Sequence, residues 1–405
     1  MFRLWFVLAL SLLAGSTRAL TLVLDPSSPQ QREVYEELAA RFGKLRPDIK
    51  LQAYVIEPES YKKQMVESLG SSQPMGDMLF WFAGEKLRYL VRQGWITSLD
   101  DLWRSEGLNE EFSEASRQLV SLDGRVYALP LNYYQWGFYY SRGVFQKLGL
   151  TPPRDWVSFL SVIQKLREAN LIPVTLGSEA PWTLAAWFDY LNLRLNGIEF
   201  HQRLLRGEER FTDERVRRVF AYWKLLLEKK TFYEQHAGLG WKDAMPFLYR
   251  RKAGMVLMGN FFVASIPEPV KNDIGFFPFP EIEKDIPRYE EAPMDVALIP
   301  ENSKNKDEAK AFLAFLAQSE NQAFMNQRLA KSSPNLNAPA GEGFFLEEGK
   351  ALLDSAAGIT QFFDRDSDPR LAEAGLKAFA DFMAHPDQLE AILATLEQAR
   401  VRIYP

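Results

Sequence analysis

The stretch LTLVLDPSSPQQREVYEELAARFGKLRPDIKLQAYV, residues 20–55, and its continuation MLFWFAGEKLRYLVRQG, residues 78–94, carry the reading that decides the fold. The run 20–24 is short, apolar and closed by Asp25-Pro26, which suits a core strand. Val34, Leu38, Phe42 and Leu45 then recur at helical spacing and stop at Arg46-Pro47. Residues 49–55 read as a second strand, and Tyr61, Met65 and Leu69 as the face of a second helix ending at Gly70. Residues 78–82 read as a third strand, and 84–93 as a helix stopped by Gly94. Strand alternating with helix predicts a layered α/β fold with parallel strands.

Outward from that block the pattern changes. Residues 126–130 are extended, and the aromatic-rich stretch 132–140 follows. Pro152-Pro153 and Asp155 start a helix whose core face is Trp156, Phe159, Ile163 and Leu166. Further helices are expected over 181–195 and 212–228, and a core strand over 254–258. Residues 273–287, rich in Pro and Phe without a helical period, predict an extended crossing. A strand over 296–299, helices over 306–317 and 321–329, a polar stretch over 331–340 and a helical C-terminus over 372–399 complete the chain.

The chain has 405 residues, enough for two or three domains, and its 47% apolar and 25% charged composition is that of a folded protein. Cysteine is absent, which excludes thiol nucleophiles, iron–sulfur clusters, Cys–zinc sites and disulfides. The three histidines, His201, His236 and His385, share no ligand spacing. No GxGxxG or Walker-type glycine loop is present, so nucleotide binding by those devices is unsupported; no cofactor is expected and no residue is assigned as a metal ligand. The formal charge of −5 argues against nucleic acid as a partner. At the start, Met1-Phe2-Arg3 leads into an apolar run over 4–14, too short for the ~20 residues of a spanning helix. Thr17-Arg18-Ala19 then offers small residues around a cleavage point. The expectation is a signal peptide, 1–19, cut after Ala19, against the plainer reading of a buried N-terminal helix.

Aromatic residues are the strongest chemical signal, and most belong to the core. A few stand where packing explains them less well. Trp81-Phe82 closes the third strand, where open α/β sheets collect ligands. Tyr133-Tyr134-Gln135-Trp136 follows the extended stretch at Pro130, Trp182 opens a helix, and Phe261 follows Gly259-Asn260. An aromatic face suits the C–H face of a sugar ring, while amides and charges hold its hydroxyls. Asp364-Arg365-Asp366 reads either as ligand contacts or as acids at a helix start. Asp100-Asp101 and Glu290-Glu291 are adjacent acids, a pattern that is usually solvated. Tyr133-Tyr134 also fits ferric iron held through phenolates, although no histidine lies near them in sequence.

Four stretches add up to a family. They are Gly76-Asp77-Met78-Leu79-Phe80-Trp81 with Gly94-Trp95-Ile96; Asp123-Gly124-Arg125-Val126-Tyr127-Ala128-Leu129-Pro130 through Phe138-Tyr139-Tyr140-Ser141 and Gly149-Leu150 to Trp156; Ala253-Gly254-Met255 with Gly259-Asn260-Phe261; and Leu298-Ile299-Pro300 with Ser303-Lys304-Asn305, Ala309 and Phe312. In that order they resemble the solute-binding proteins of sugar ABC importers. Departures are Gly76 for the family's proline, Ala253-Gly254 for a paired Ala, and Phe261 for a Trp.

The resemblance implies two α/β lobes joined by three crossings, near Pro130, near 281–287 and near Ser333-Pro334, with ligand bound between them. Lobe I is expected over 20–129 and 286–332, and lobe II over 130–285 and 333–405. It implies stacking contacts at Trp81, Trp182 and Phe261, and hydroxyl contacts from the acidic–basic pair Glu85 and Lys86. Tyr134 falls where the family has a cleft carboxylate, and Asp364 and Arg365 where its last contacts arise. Tyr133, Trp136 and Asn260 complete the candidate ligand-binding set, with no catalytic residue. The function implied is a monomeric periplasmic receptor that delivers a neutral di- or oligosaccharide to a membrane permease. The alternatives are the same fold with a glycerol-phosphate ester, a polyamine or ferric iron, and a secreted carbohydrate enzyme using paired carboxylates.

Overall fold

The computed structural model describes residues 18–24 and 28–405. The expected signal peptide falls outside the described residues, except for Arg18 and Ala19, which open the first strand. β1 (Arg18–Leu24), β2 (Ile49–Val55) and β3 (Met78–Phe82) pair in parallel, with β1 in the middle. The helices Pro29–Leu45 and Pro58–Leu69 make the crossovers. Each has proline in its first turn, where a missing N–H costs nothing, and each is capped by a side chain, Ser28 and Glu57 respectively.

After a small hairpin, β4 (Ser121–Leu122) and β5 (Arg125–Val126), the chain forms β6 (Leu129–Tyr133) and crosses to a second sheet. That sheet contains β7 (Trp136–Ser141), β8 (Ile172–Val174), β9 (Ala253–Gly259) and β10 (Ile274–Phe277), in the order β10-β7-β9-β8. A short pair follows, β11 (Tyr289–Glu291) with β13 (Gly358–Thr360), and β12 (Met294–Leu298) returns to the first sheet, which reads β2-β1-β3-β12-β6.

Two apolar cores result. The first draws on residues between Leu20 and Leu131 and between Met294 and Leu329. The second draws on residues between Tyr134 and Phe279 and between Phe345 and Leu396. The protein is a two-lobed α/β fold.

Four expectations need correction. Parallel pairing holds for β1–β3, but β12 lies antiparallel to both β3 and β6, and β7 antiparallel to both β9 and β10. β12 enters its sheet from the other lobe and needs no helical crossover, so the antiparallel ladder accepts it. The segment 273–287, expected as an extended crossing, is extended but begins inside the second sheet as β10, because its Ile-Gly-Phe-Phe run packs as a fully buried strand against β7. The polar stretch after 331 is followed by an unforeseen helix, Phe344–Asp354. The helix expected over 181–195 runs on to Leu205 across a non-helical Gly197, whose φ of 78° is easy only for glycine.

Candidate functional site

The two lobes face each other across a cleft of ≈ 1000 Å³, its open mouth included. β3 places Trp81 and Phe82 at its carboxyl end, where a sheet buried on both faces opens to a ligand. Pro58, Glu59 and Lys62 come from the first turns of helix Pro58–Leu69, and Asp295 from β12. The β12–β6 register shifts between Asp295 and Val296, a bulge that re-aims a side chain next to a core strand.

The opposite wall is aromatic. Trp136 opens β7, Trp182 opens the helix Trp182–Leu205, and Trp241 opens the helix Trp241–Tyr249. Their rings meet edge to face: Trp136 lies 6.1 Å from Trp182 and 4.6 Å from Phe362, and Trp241 lies 5.3 Å from Phe261. Such T-shaped pairs are worth ~1 kcal/mol beyond their buried area. A Cβ on Gly259 would sit 2.5 Å from Trp136 Nε1, so the wall closes only because position 259 has no side chain. The indole N–H groups of Trp81, Trp136 and Trp182 are buried and have no acceptor among the described residues.

Charge is concentrated on the turn over 362–366 and the residues it meets. Arg365 Nη1 lies 3.2 Å from Asp295 Oδ1, and its Nη2 donates to the Tyr134 hydroxyl at 2.9 Å. Lys331 Nζ donates to the other Asp295 oxygen at 2.9 Å. Both cations also lie over rings, Arg365 4.0 Å from the Phe82 centroid and Lys331 4.7 Å from that of Tyr134. Lys86 reaches Asp364 at 3.3 Å, and Lys62 reaches Glu59 at 2.8 Å. Each cleft carboxylate is therefore ion-paired. Burial pushes the Tyr134 phenol well up, and it lowers the Lys86 ammonium against the pull of Asp364.

Of the residues singled out from sequence, Trp81, Tyr134, Trp136, Trp182, Phe261, Asp364 and Arg365 line one cleft. Four stand outside the lining. Lys86 sits behind Asp364, and Glu85 is engaged with Arg92 and Arg88. Tyr133 donates its backbone N–H to the Ser332 carbonyl at 3.0 Å, joining two crossings. Asn260 is fully buried, accepts from the Tyr139 hydroxyl at 2.7 Å and donates to the Ala330 carbonyl. It ties the second lobe to the end of helix Ser319–Leu329 and is not among the residues lining the cleft.

Sequence reasoning missed Glu59, Lys62, Trp241, Asp295 and Lys331, all of which line the cleft. Trp241 repeats the Trp182 pattern of an indole at a helix start, and Asp295 is a lone charge inside the apolar strand MDVAL, so both left a signal. Lys331 left none. Among the described residues, no group of three or more His, Asp or Glu is arranged to hold a metal ion, and no helix is long and apolar enough to cross a membrane.

The family model of the bacterial extracellular solute-binding proteins matches residues 26–323. An uncharacterized ABC transporter extracellular-binding protein of Pyrococcus horikoshii is 24% identical over 319 residues, 76% of this chain and 70% of its own. The melibiose/raffinose/stachyose-binding protein MelE of Bacillus subtilis is 22% identical over 390 residues, 91% of this chain and 87% of its own. Among solved structures, the bacterial solute receptor AcbH, described as having an exclusive preference for β-D-galactopyranose, superposes with a TM-score of 0.90 at 26% identity. That match covers 96% of this chain and 100% of AcbH.

Proposed function

The chain belongs to the bacterial extracellular solute-binding protein family, and from that premise we propose that it is the sugar receptor of an ABC importer. It binds a neutral sugar between its lobes and presents the closed form to the permease in the membrane. The lobes take the bounds 20–129 with 286–332, and 130–285 with 333–405. The chain acts after export to the periplasm, with a signal peptide cut after Ala19, as a monomer without catalytic activity of its own.

The observation that carries this reading is the composition of the cleft wall. Trp81 from the first lobe lines the cleft with Trp136, Trp182, Trp241 and Phe261 from the second, and the buried indole N–H groups of Trp81, Trp136 and Trp182 lack acceptors among the described residues. Rings take the C–H faces of a pyranose and the indoles take its oxygens. Ion pairs between Asp295, Arg365, Lys331, Asp364 and Lys86 give the hydroxyls both donors and acceptors while keeping the acids neutralised. A polyamine would meet no unpaired carboxylate there. The sugars named for the relatives, β-D-galactopyranose and the melibiose, raffinose and stachyose series, set the first panel.

The test is recovery. The refolded chain is dialysed to equilibrium against each sugar, and the bound fraction is analysed by chromatography after a day. Intact sugar in a one-to-one ratio supports the receptor. Cleaved sugar sinks it in favour of an enzyme.

A further inference from the structure

Helix Trp182–Leu205, β11 and the turn over 362–366 enclose a row of buried ionisable groups that contribute nothing to the cleft lining. We propose that Asp189 is the positioning residue of that turn, and that it works as an uncharged carboxyl in one buried row with His201 and Glu291, ionising and loosening the turn as pH rises. The proposal stands whether or not the ligand is a sugar.

The geometry is specific. Asp189 Oδ2 accepts the Phe363 N–H at 2.8 Å, directly before the two cleft residues Asp364 and Arg365. Its other oxygen has no hydrogen-bond partner among the described residues and lies 3.9 Å from His201 Nδ1. His201 Nε2 lies 3.7 Å from Glu291 Oε1, and neither Glu291 oxygen is hydrogen-bonded among the described residues. All three side chains are fully buried. Asn192 Nδ2 lies 3.2 Å from His201 Nδ1 and donates to it, which leaves the imidazole proton on Nε2 and the ring neutral.

The charges around the row do not offset it. Arg194 and Arg288 both go to Glu290, at 2.7 and 3.4 Å; neither makes an ion pair with Asp189 or Glu291 among the described residues, although Arg194 adds some positive potential at Glu291. From the turn, Asp364 adds negative potential at Asp189, and Asp366 adds it at Glu291; Glu290 and Asp189 add more at Glu291. Two buried, unpaired carboxylates are far less favourable than two carboxyls holding protons. Burial accordingly pushes both acids well above the usual carboxylate range, while it holds His201 down to about 3.

The row also touches the route by which the chain reaches the turn. Glu291 lies on β11, opposite Thr360 of β13, and β13 runs into the turn. Gln361 donates to the Ala292 carbonyl at 2.9 Å and accepts the Met294 N–H at 3.3 Å. Negative charge on Asp189 and Glu291 together would force these elements apart and move Asp364 and Arg365 with them.

Two measurements on the whole mature chain, without ligand, test this. In the first, amide exchange of Phe363 is followed by NMR at pH 6.5. Asp189→Ala, which removes the acceptor, is expected to lower Phe363 protection about tenfold or more, and Asp189→Asn, which keeps it, to restore protection. Equal protection in all three proteins overturns the positioning role. In the second, thermal unfolding is followed between pH 6.5 and 9. A raised acid gives the native state more protons than the unfolded chain, so stability falls as pH rises, and a histidine near 3 adds nothing in this window. Across the window the wild type is expected to lose about 3 °C or more in Tm beyond the change seen in Asp189→Asn or Glu291→Gln. Coinciding slopes overturn the uncharged state. If a variant fails to fold, Phe363 exchange in the wild type decides: protection that falls from pH 6.5 to 9 after correction for intrinsic exchange supports the proposal, and constant protection overturns it.

Discussion

Arg365, on a turn of the second lobe, lies 3.2 Å from Asp295 on β12 of the first lobe. Lys331 holds the remaining oxygen of the same carboxylate at 2.9 Å, so one acid joins the two lobes and separates two cations. Arg365 and the Asp295–Lys331 pair meet across the cleft. Without the acid, the cations would face each other in a cleft lined by rings, which weakens the closed state on which tight binding depends.

Asp295→Ala is therefore expected to raise the sugar Kd about tenfold or more, a loss of ~1.4 kcal/mol, with Asp295→Asn intermediate. Calorimetric titration of the variants against wild type checks this. An unchanged Kd in Asp295→Ala removes the residue from the binding mechanism.

Trp182 lines the cleft, and its indole N–H is buried without an acceptor among the described residues. Trp182→Phe keeps an aromatic ring and removes the donor, and the expected result is a rise in Kd of about fivefold, ~1 kcal/mol, with little change in Tm. Trp81→Ala removes a ring altogether and should cost at least tenfold. An unchanged Kd in Trp182→Phe would show that only ring area matters at that position.

Gly259→Ala would drive a methyl group to 2.5 Å from Trp136 Nε1 and 2.8 Å from the Phe261 ring. Overpacking of this kind costs ~1–3 kcal/mol. Because both rings belong to the cleft wall, affinity should fall along with stability. Urea unfolding and sugar titration of the same variant check both halves, and a variant as stable and as tight as wild type contradicts the packing described.

Burial holds His201 at about 3, below its ordinary 6.5. Between those values the unfolded chain binds more protons than the native protein, so His201 makes stability fall as pH falls through that window, approaching ~1.4 kcal/mol per pH unit. His201→Gln should remove this contribution, so that lowering the pH from 6.5 to 4 costs the variant less of its urea midpoint than it costs wild type. An unaltered slope would assign the acid sensitivity to other groups.

The first three strands and their helices were legible because buried parallel strands are continuous apolar runs, and because proline and glycine mark the helix ends. The pairing of β12 was not, since β3 and β12 are separated by most of the second lobe and nothing local states their antiparallel pairing. Helix Phe344–Asp354 was hidden by Gly341 and Gly343 at its entry. In the cleft, Trp81, Trp136, Trp182 and Phe261 were legible because each stands at a strand end or helix start. Asp295 and Lys331 carry no spacing pattern and meet Arg365 only through the tertiary fold. Glu85 and Asn260 show the converse: family resemblance marked the right neighbourhood, while their partners, Arg92 and Ala330, draw them out of the cleft.

The most direct test of the central claim is calorimetric titration of the mature chain, unfolded and refolded to remove carried-over ligand, with β-D-galactopyranose, melibiose, raffinose, stachyose and maltose. The account predicts one-to-one binding of at least one of them with Kd of about 1 μM or tighter, lost or sharply weakened in Trp81→Ala. Heat from none of these sugars, in a chain whose unfolding shows both lobes folded, would contradict it.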